Sequence, residues 1–441
     1  MREVMHMAEE ILKITGGKPL RGEVTVQGAK NSALPLMAAS LLCSGETVLT
    51  NVPQLTDVYA ASRILNRLGC RCTVSGHTVT VQQRDTSACE IPDEDMRAMR
   101  SSIMFLGPVL GRSKACILTM PGGCELGPRP IDLHLDAMRQ MGVNIREDGG
   151  KIRCTAQKLR GAVIHLPFPS VGVTENVIMA AVYADGETIL KNAAREPEIR
   201  DLAQFLNQCG AEISGAGEST VIIRGGGKLH GTEYRVMPDR IAAITYLSAC
   251  AAAGGAICVR GTAPQDLESC LSVLETAGCT LGVCGDRIFI DRSGPLRHVR
   301  MIRTMPYPGF PTDAQALLCA VLCTAEGTSM LEETIFESRY KHVGELMRMG
   351  ADIRVSGRTA VVNGVRKLHG ADVQAMDLRG GAALAAAAAG AEGETVLRGL
   401  RHLDRGYESL AETFNRLGCR AERTVFSSSE LKKTASDFQK C

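Results

Sequence analysis

Six glycines set the limits on how this chain can fold. Each directly follows an apolar or small residue at the end of an amphipathic run: Leu68-Gly69, Met141-Gly142, Cys209-Gly210, Ala277-Gly278, Met349-Gly350 and Leu417-Gly418. Successive glycines stand 68 to 73 residues apart. A glycine in that place reads as the residue just past a helix end, where a left-handed backbone is cheap only without a Cβ. Six such endings at near-constant spacing make an internal repeat.

The rest of each unit follows from periodicity. Within 55–69, Val58, Ile64, Leu65 and Leu68 recur at helical spacing, and the alternation around Cys72-Thr-Val and Thr78-Val-Thr-Val predicts a hairpin after it. A second helix precedes each of these, over 31–42, 101–110, 174–183, 240–252, 312–323 and 379–389. These helices are rich in Ala, Leu and Met on nearly every face, so they are expected in the interior with sheets outside. Gly-Glu-Thr before an apolar strand recurs at Gly45, Gly186 and Gly393 and restarts the unit. The expectation is three βαβαββ units in each of two domains, with a ligand site between the domains. A solenoid is the alternative, but its repeats run to only about 20–45 residues.

Bulk properties exclude several function classes. The 441 residues exceed what one core usually fills. With 50 Lys+Arg against 48 Asp+Glu, no global basic field exists for nucleic acid or anionic lipid. Any anion must be held by local Arg and Lys clusters. Aromatics at 4%, without Trp, are too few for base-stacking platforms. The 17 cysteines lack metal-like spacing, Cys70-Arg-Cys72 being too tight for a zinc knuckle. Cys43, Cys250, Cys319 and Cys323 lie in apolar runs and are expected buried and inert, as in a reducing cytosol. The start of the chain lacks a signal-peptide core, and the apolar run 382–390 is too short to span a bilayer. A cytoplasmic protein without membrane insertion is expected, and the polar tail 424–441 is expected to be poorly ordered.

Three segments carry chemistry-bearing residues outside the helical pattern. The loop Pro121-Gly-Gly-Cys-Glu-Leu-Gly-Pro-Arg-Pro130 places Cys124, the one cysteine in a flexible polar setting, near Arg129, whose charge would favour a reactive thiolate. Lys30 and Asn31 stand just before a buried helix and suit an anion, or else Lys30 is solvated and Asn31 caps the helix. Asp313 starts another buried helix, as a reacting group or as an N-cap. Arg100, Arg240, Arg339, Arg379 and Arg405 recur at corresponding places, several at helix starts where a cation needs an anionic neighbour. That neighbour is a ligand or a salt-bridge partner.

Taken together, the segments resemble the UDP-N-acetylglucosamine 1-carboxyvinyltransferase family of enolpyruvyl transferases, from about residue 14 to about residue 423. The matching motifs include Gly28-Ala-Lys-Asn-Ser-Ala-Leu-Pro35, Met99-Arg-Ser-Ser-Ile103, Pro121-Gly-Gly-Cys124, Gly127-Pro-Arg-Pro-Ile-Asp-Leu-His134, Thr174-Glu-Asn176, Tyr307-Pro-Gly-Phe-Pro-Thr-Asp313 and Asp404-Arg-Gly-Tyr407. The resemblance implies a two-lobed inside-out α/β barrel of six βαβαββ repeats. One lobe would span 30–237, and the other would combine 1–29 with 238–441.

It also implies a reaction between phosphoenolpyruvate and UDP-N-acetylglucosamine that gives the 3-enolpyruvyl ether and phosphate. No metal, no other cofactor and no obligate protein partner is implied. Cys124 would be the general acid, Asp313 the base on the sugar 3′-hydroxyl, and Lys30, Arg129 and Arg405 the phosphate clamp. Asn31 would seat the enolpyruvate. Arg100, Arg129, Pro130, Ile131, Asp132, Leu133, Ser170, Val171 and Ile335 would line the nucleotide-sugar site. Glu196, Arg240, Arg339 and Arg379 would stand behind them. Ile244 and Ser338 depart from the family pattern, with crowding or a tilted helix expected at Ile244. Two rivals stand beside this reading: a non-catalytic UDP-sugar-binding regulator, and the related transferase acting on shikimate 3-phosphate.

Overall fold

The computed structural model describes residues 9–85, 87–119 and 131–426, apart from the side chains of Arg100 and Phe426. All six predicted glycines fall just past a helix and adopt φ between 83° and 104°. The repeat spacing is thus a spacing of helix ends. Around four of them the chain runs strand, buried helix, strand, amphipathic helix and two further strands; at Gly142 the first strand is reduced to a bridge, and after Gly418 a single strand follows in the chain.

The sheets show how the repeats close. In the unit built on Thr328–Glu332, the strand pairs in parallel with Ile302–Arg303 and antiparallel with Thr359–Asn363, which forms a hairpin with Asp352–Ser356. The same order recurs in the other repeats, with one reduction: beside Ala115–Thr119 the first strand shrinks to a single bridge from Glu90 to Ile117. Three repeats borrow a strand from far along the chain. Leu20–Thr25 lies parallel to Gly255–Arg260, Glu233–Arg235 lies parallel to Glu46–Thr50, and Glu9–Thr15 completes a sheet between Glu394–Arg398 and Arg420–Phe426. Thr424 and Val425 are therefore strand residues, paired with Ile11 and Glu10, and the expectation of disorder fails for them. The remainder of the tail, 427–441, lies outside the described residues.

Two compact units result. One is Gln27–Arg240 with Met305–Gly309, and the other comprises the described residues of Met1–Val26, Ile241–Thr304 and Phe310–Cys441. Each has its own apolar core. The Ala- and Leu-rich helices form these interiors, as expected, while strands such as Arg287–Arg292 alternate inward Ile288 and Ile290 with outward residues. Small side chains let the helices approach closely. A Cβ on Gly390 would stand 2.6 Å from the Ala252 carbonyl oxygen.

Ile244 is fully buried in an unbroken helix, Arg240–Ala253, and Ser338 is exposed in the turn before Arg339. Neither disturbs its element. Cys43, Cys250, Cys319 and Cys323 are all buried. Cys284, at the end of strand Thr280–Cys284, is exposed, so Cys124 is not the only cysteine in a polar setting. None of the described helices is long and apolar enough to cross a membrane.

Candidate active site

In the unit containing Phe310–Cys441, chemistry gathers at the start of helix Thr312–Leu322. The helix begins after Pro311, which makes no side-chain cap, so Asp313 occupies its second position and is not an N-cap. Its two oxygens are divided between two arginines. Oδ1 accepts from Arg339 Nη2 at 2.6 Å and Oδ2 from Arg379 Nη2 at 3.0 Å. Both arginines are buried, whereas the Asp313 side chain keeps 27% of its surface exposed. Arg339 also donates to the Thr312 carbonyl at 3.2 Å and lies over the Phe336 ring. Arg379 reaches the cluster from the second position of helix Leu378–Gly390, where Asp377 caps the backbone N–H groups of Arg379 and Gly380.

A neighbouring carboxylate organises this corner and was missed from sequence. Glu333, fully buried, accepts from Thr304 Oγ1, Ile335 N and Phe336 N through Oε1, and from Thr312 Oγ1 through Oε2. It therefore ties the turn carrying Ile335 to the residue before Asp313. Its only sequence signal is a second acid after Glu332 at a strand end. Arg405 is half-buried at the end of the 3-10 turn Leu400–Arg405, not at a helix start.

The other unit holds three groups of expected site residues. Lys30 is the first residue of helix Lys30–Ala39 and is buried, so the solvated alternative fails. Its Nζ lies 2.8 Å from Asp57 Oδ2, and its backbone N donates to Asp239 Oδ2. Asp57 is almost wholly buried in the first turn of helix Thr56–Arg67, where from sequence it reads only as an acid complementing a helix dipole. Asn31 is the second residue of its helix; the N-cap is Ala29, so Asn31 does not cap.

The nucleotide-sugar candidates fall at helix starts. Ile131 precedes and Asp132 begins helix Asp132–Gln140, with Leu133 next. Ser170 precedes helix Val171–Ala181, and Val171 begins it. The two starts meet where the His134 ring lies against Gly172. Arg100 begins the 3-10 turn Arg100–Phe105. Cys124, Arg129 and Pro130 lie outside the described residues.

The third group is acidic. Glu196 is the N-cap residue of helix Pro197–Gln208, and its Oε1 accepts weakly from Tyr307 N at 3.5 Å. Burial pushes its carboxyl above the usual range. Glu198 takes Arg240 in a two-pronged pair, Nε at 3.0 Å and Nη2 at 3.3 Å. Glu175 is buried and raised well above the usual range, by burial first and then by Glu198 and Glu196. The anionic neighbours of Arg240, Arg339 and Arg379 are thus the protein's own carboxylates.

The chain was compared with known proteins. Residues 14–414 match the family model for EPSP synthase (3-phosphoshikimate 1-carboxyvinyltransferase). A relative from Caldanaerobacter subterraneus subsp. tengcongensis, named UDP-N-acetylglucosamine 1-carboxyvinyltransferase 2, is 51% identical over 92% of this chain and 97% of its own. A relative from Nitratidesulfovibrio vulgaris, named UDP-N-acetylglucosamine 1-carboxyvinyltransferase, is 46% identical over 93% of this chain and 99% of its own. Among solved structures, the enolpyruvyl transferase NikO from Streptomyces tendae superimposes with a TM-score of 0.85 at 26% identity, covering 96% of this chain and 100% of that one. EPSP synthase from Acinetobacter baumannii reaches 0.72 at 19% identity over 94% of this chain and 100% of that one, a likeness of fold.

Proposed function

The chain belongs to the EPSP synthase family of enolpyruvyl transferases, and we propose that within it the protein transfers the enolpyruvyl group of phosphoenolpyruvate to the 3′-hydroxyl of UDP-N-acetylglucosamine, releasing phosphate. The names of the relatives at 46–51% identity favour this acceptor over shikimate 3-phosphate. In this reading the reaction is the first committed step of peptidoglycan synthesis and belongs in the cytoplasm.

The observation that carries the mechanism is Asp313, held open at a helix start by two buried arginines. Each of its oxygens accepts from one guanidinium, and 27% of its side-chain surface stays exposed. In the proposed reaction Cys124 gives its thiol proton to carbon 3 of phosphoenolpyruvate, and carbon 2 becomes electrophilic. As the sugar 3′-oxygen bonds to carbon 2, Asp313 takes the hydroxyl proton. The tetrahedral adduct then returns a proton from carbon 3 to the Cys124 thiolate and expels phosphate, which restores the double bond. Lys30, oriented by Asp57, would clamp the phosphate with Arg129 and Arg405. Asn31 would seat the enolpyruvate, and Arg100, 129–133, Ser170, Val171 and Ile335 the nucleotide sugar. Glu196, Arg240, Arg339 and Arg379 would support the reacting groups.

The regulatory alternative draws on Ile244 and Ser338, but one is ordinary core and the other a surface residue. Phosphate release from phosphoenolpyruvate is the decisive assay. It should require UDP-N-acetylglucosamine and fail with shikimate 3-phosphate; the reverse dependence would overturn the reading. Cys124→Ala should lower turnover by about 10²–10⁴-fold, the usual worth of a general acid, and Cys124→Asp should restore part of it because a carboxylic acid also donates a proton.

A further inference from the structure

One buried amide joins the elements that carry three of the proposed nucleotide-sugar segments. Asn176, fully buried in helix Val171–Ala181, makes three short hydrogen bonds. Its Oδ1 accepts from Gly107 N at 2.6 Å, and its Nδ2 donates to Ile103 O at 2.9 Å and meets His134 Nδ1 at 2.8 Å. Gly107 and Ile103 flank the change from the 3-10 turn beginning at Arg100 to helix Leu106–Ser113. His134 stands one residue after Leu133, and Asn176 is six residues after Ser170. The helices touch closely here, since a Cβ on Gly107 would stand 2.2 Å from the Asn176 carbonyl oxygen.

The chemistry of these partners leaves no freedom in the amide. A backbone N–H can only donate, so the Asn176 atom facing Gly107 is oxygen. A backbone carbonyl can only accept, so the atom facing Ile103 is nitrogen. That nitrogen is a donor without acceptor capacity, which makes His134 Nδ1 the acceptor. A ring that accepts at Nδ1 is neutral and carries its proton on Nε2. Burial supports the neutral form, pushing the His134 imidazole down to about 4. The Nε2 edge turns toward the start of helix Val171–Ala181: a Cβ on Gly172 would sit 3.2 Å from His134 Cε1 and 3.6 Å from Nε2. The first-turn N–H groups of that helix have no acceptor within it.

We infer that Asn176 is a positioning residue for the nucleotide sugar: it fixes His134 as the Nε2–H tautomer, so that this N–H adds to the donors at the start of helix Val171–Ala181, and it locks the segments of Arg100, 131–133 and Ser170–Val171 in register. The inference rests on the proposed acceptor. Its ligand chemistry is the anionic diphosphate of a nucleotide sugar, which both the helix start and the Nε2–H would meet as hydrogen-bond donors.

The test uses the full chain. In protein labelled with 15N-histidine, long-range proton–nitrogen spectra should show one ring with Nδ1 unprotonated and Nε2 protonated at neutral pH, identified by its loss in His134→Phe. An Nδ1–H ring there overturns the inference. Asn176→Asp keeps the acceptor for Gly107 but cannot donate to His134, so the ring proton should move to Nδ1. Calorimetric affinity for UDP-N-acetylglucosamine should then fall about tenfold, the worth of one hydrogen bond to a charged group. KM for phosphoenolpyruvate should stay within about twofold. In a His134→Phe background Asn176→Asp should cost clearly less than it does alone, because the part of its effect that runs through the ring is already gone and only the lost bond to Ile103 remains. Additive losses, or an equal rise in KM for phosphoenolpyruvate, sink the positioning role. Unchanged UDP-sugar affinity in Asn176→Asp with normal turnover sinks the inference and leaves the reaction standing. A tenfold affinity loss in a wild-type background that releases no phosphate supports the inference and sinks the reaction.

Discussion

Two buried charge clusters, one in each compact unit, use the same residue types in opposite ratio. Around Asp313 a single carboxylate faces two guanidinium groups, Arg339 and Arg379. Around Arg240 a single guanidinium faces a set of three carboxyls, with Glu198 paired to it and Glu196 and Glu175 close behind. The first cluster sets both guanidinium groups on one carboxylate that keeps part of its surface exposed. The second resolves its surplus internally. Glu198 occupies Arg240 with both oxygens, the guanidinium lies over Tyr307 at 5.9 Å, and burial, with its two acidic neighbours, raises the Glu175 carboxyl well above the usual range. In the proposed mechanism the first cluster supplies the base and the second only supports it.

Breaking the first cluster should cost activity above all. Asp313→Asn retains an oxygen acceptor for one arginine but loses the proposed base, so turnover should fall by about 10²–10⁴-fold with the circular dichroism spectrum unchanged. Phosphate release measured at saturating substrates checks it. Turnover within a few fold of wild type would remove the functional distinction between the two clusters.

Breaking the second should cost stability instead. Glu198→Ala breaks the buried ion pair with Arg240, and removing one partner of such a pair typically destabilises by about 3–5 kcal/mol. Urea unfolding should show the shift, and turnover per folded molecule should drop far less than in Asp313→Asn. If the midpoint hardly moves while turnover collapses, Glu198 and Arg240 belong with the reacting groups.

The architecture was readable because it repeats. Gly69, Gly142, Gly210, Gly278, Gly350 and Gly418 each solve the same local problem, a left-handed backbone after a helix, and local problems leave local marks. The Ala-rich interior helices were readable for a similar reason, since uniform apolar faces have only one place to go. Candidate residues stood out in the sequence where they stand at helix starts, as Lys30 and Asp313 do. They were illegible where a single polar side chain acts across the fold. Asp57 meets Lys30 from 27 positions away, and Asn176 meets Ile103 from 73, with no periodicity to announce either. Glu333 organises Ile335 and Thr312 yet reads from sequence as one more acid at a strand end. Nor could sequence show that the anions beside Arg339 and Arg379 are internal, because pairing depends on which helices the topology brings together.

The smallest expected effect sharpens the comparison most, because it separates the two clusters by pH. Glu175 holds its proton in the folded chain above the ordinary carboxyl range, chiefly through burial. Below about pH 4.3, the ordinary glutamate value, folded and unfolded chains both carry that proton and its stabilising contribution is fully present. As pH rises further the unfolded chain releases the proton while the folded chain keeps it. Stability from this one group is then lost at about 1.4 kcal/mol per pH unit, until the folded carboxyl ionises in turn. Glutamine keeps the shape and cannot ionise. Glu175→Gln should therefore match wild type near pH 4 and become progressively the more stable of the two from about pH 5 upward. Urea unfolding of both proteins across that range reads the difference directly. A gap that stays constant with pH would mean that Glu175 ionises as readily inside as outside, and the acidic cluster would then need a second cation to balance it.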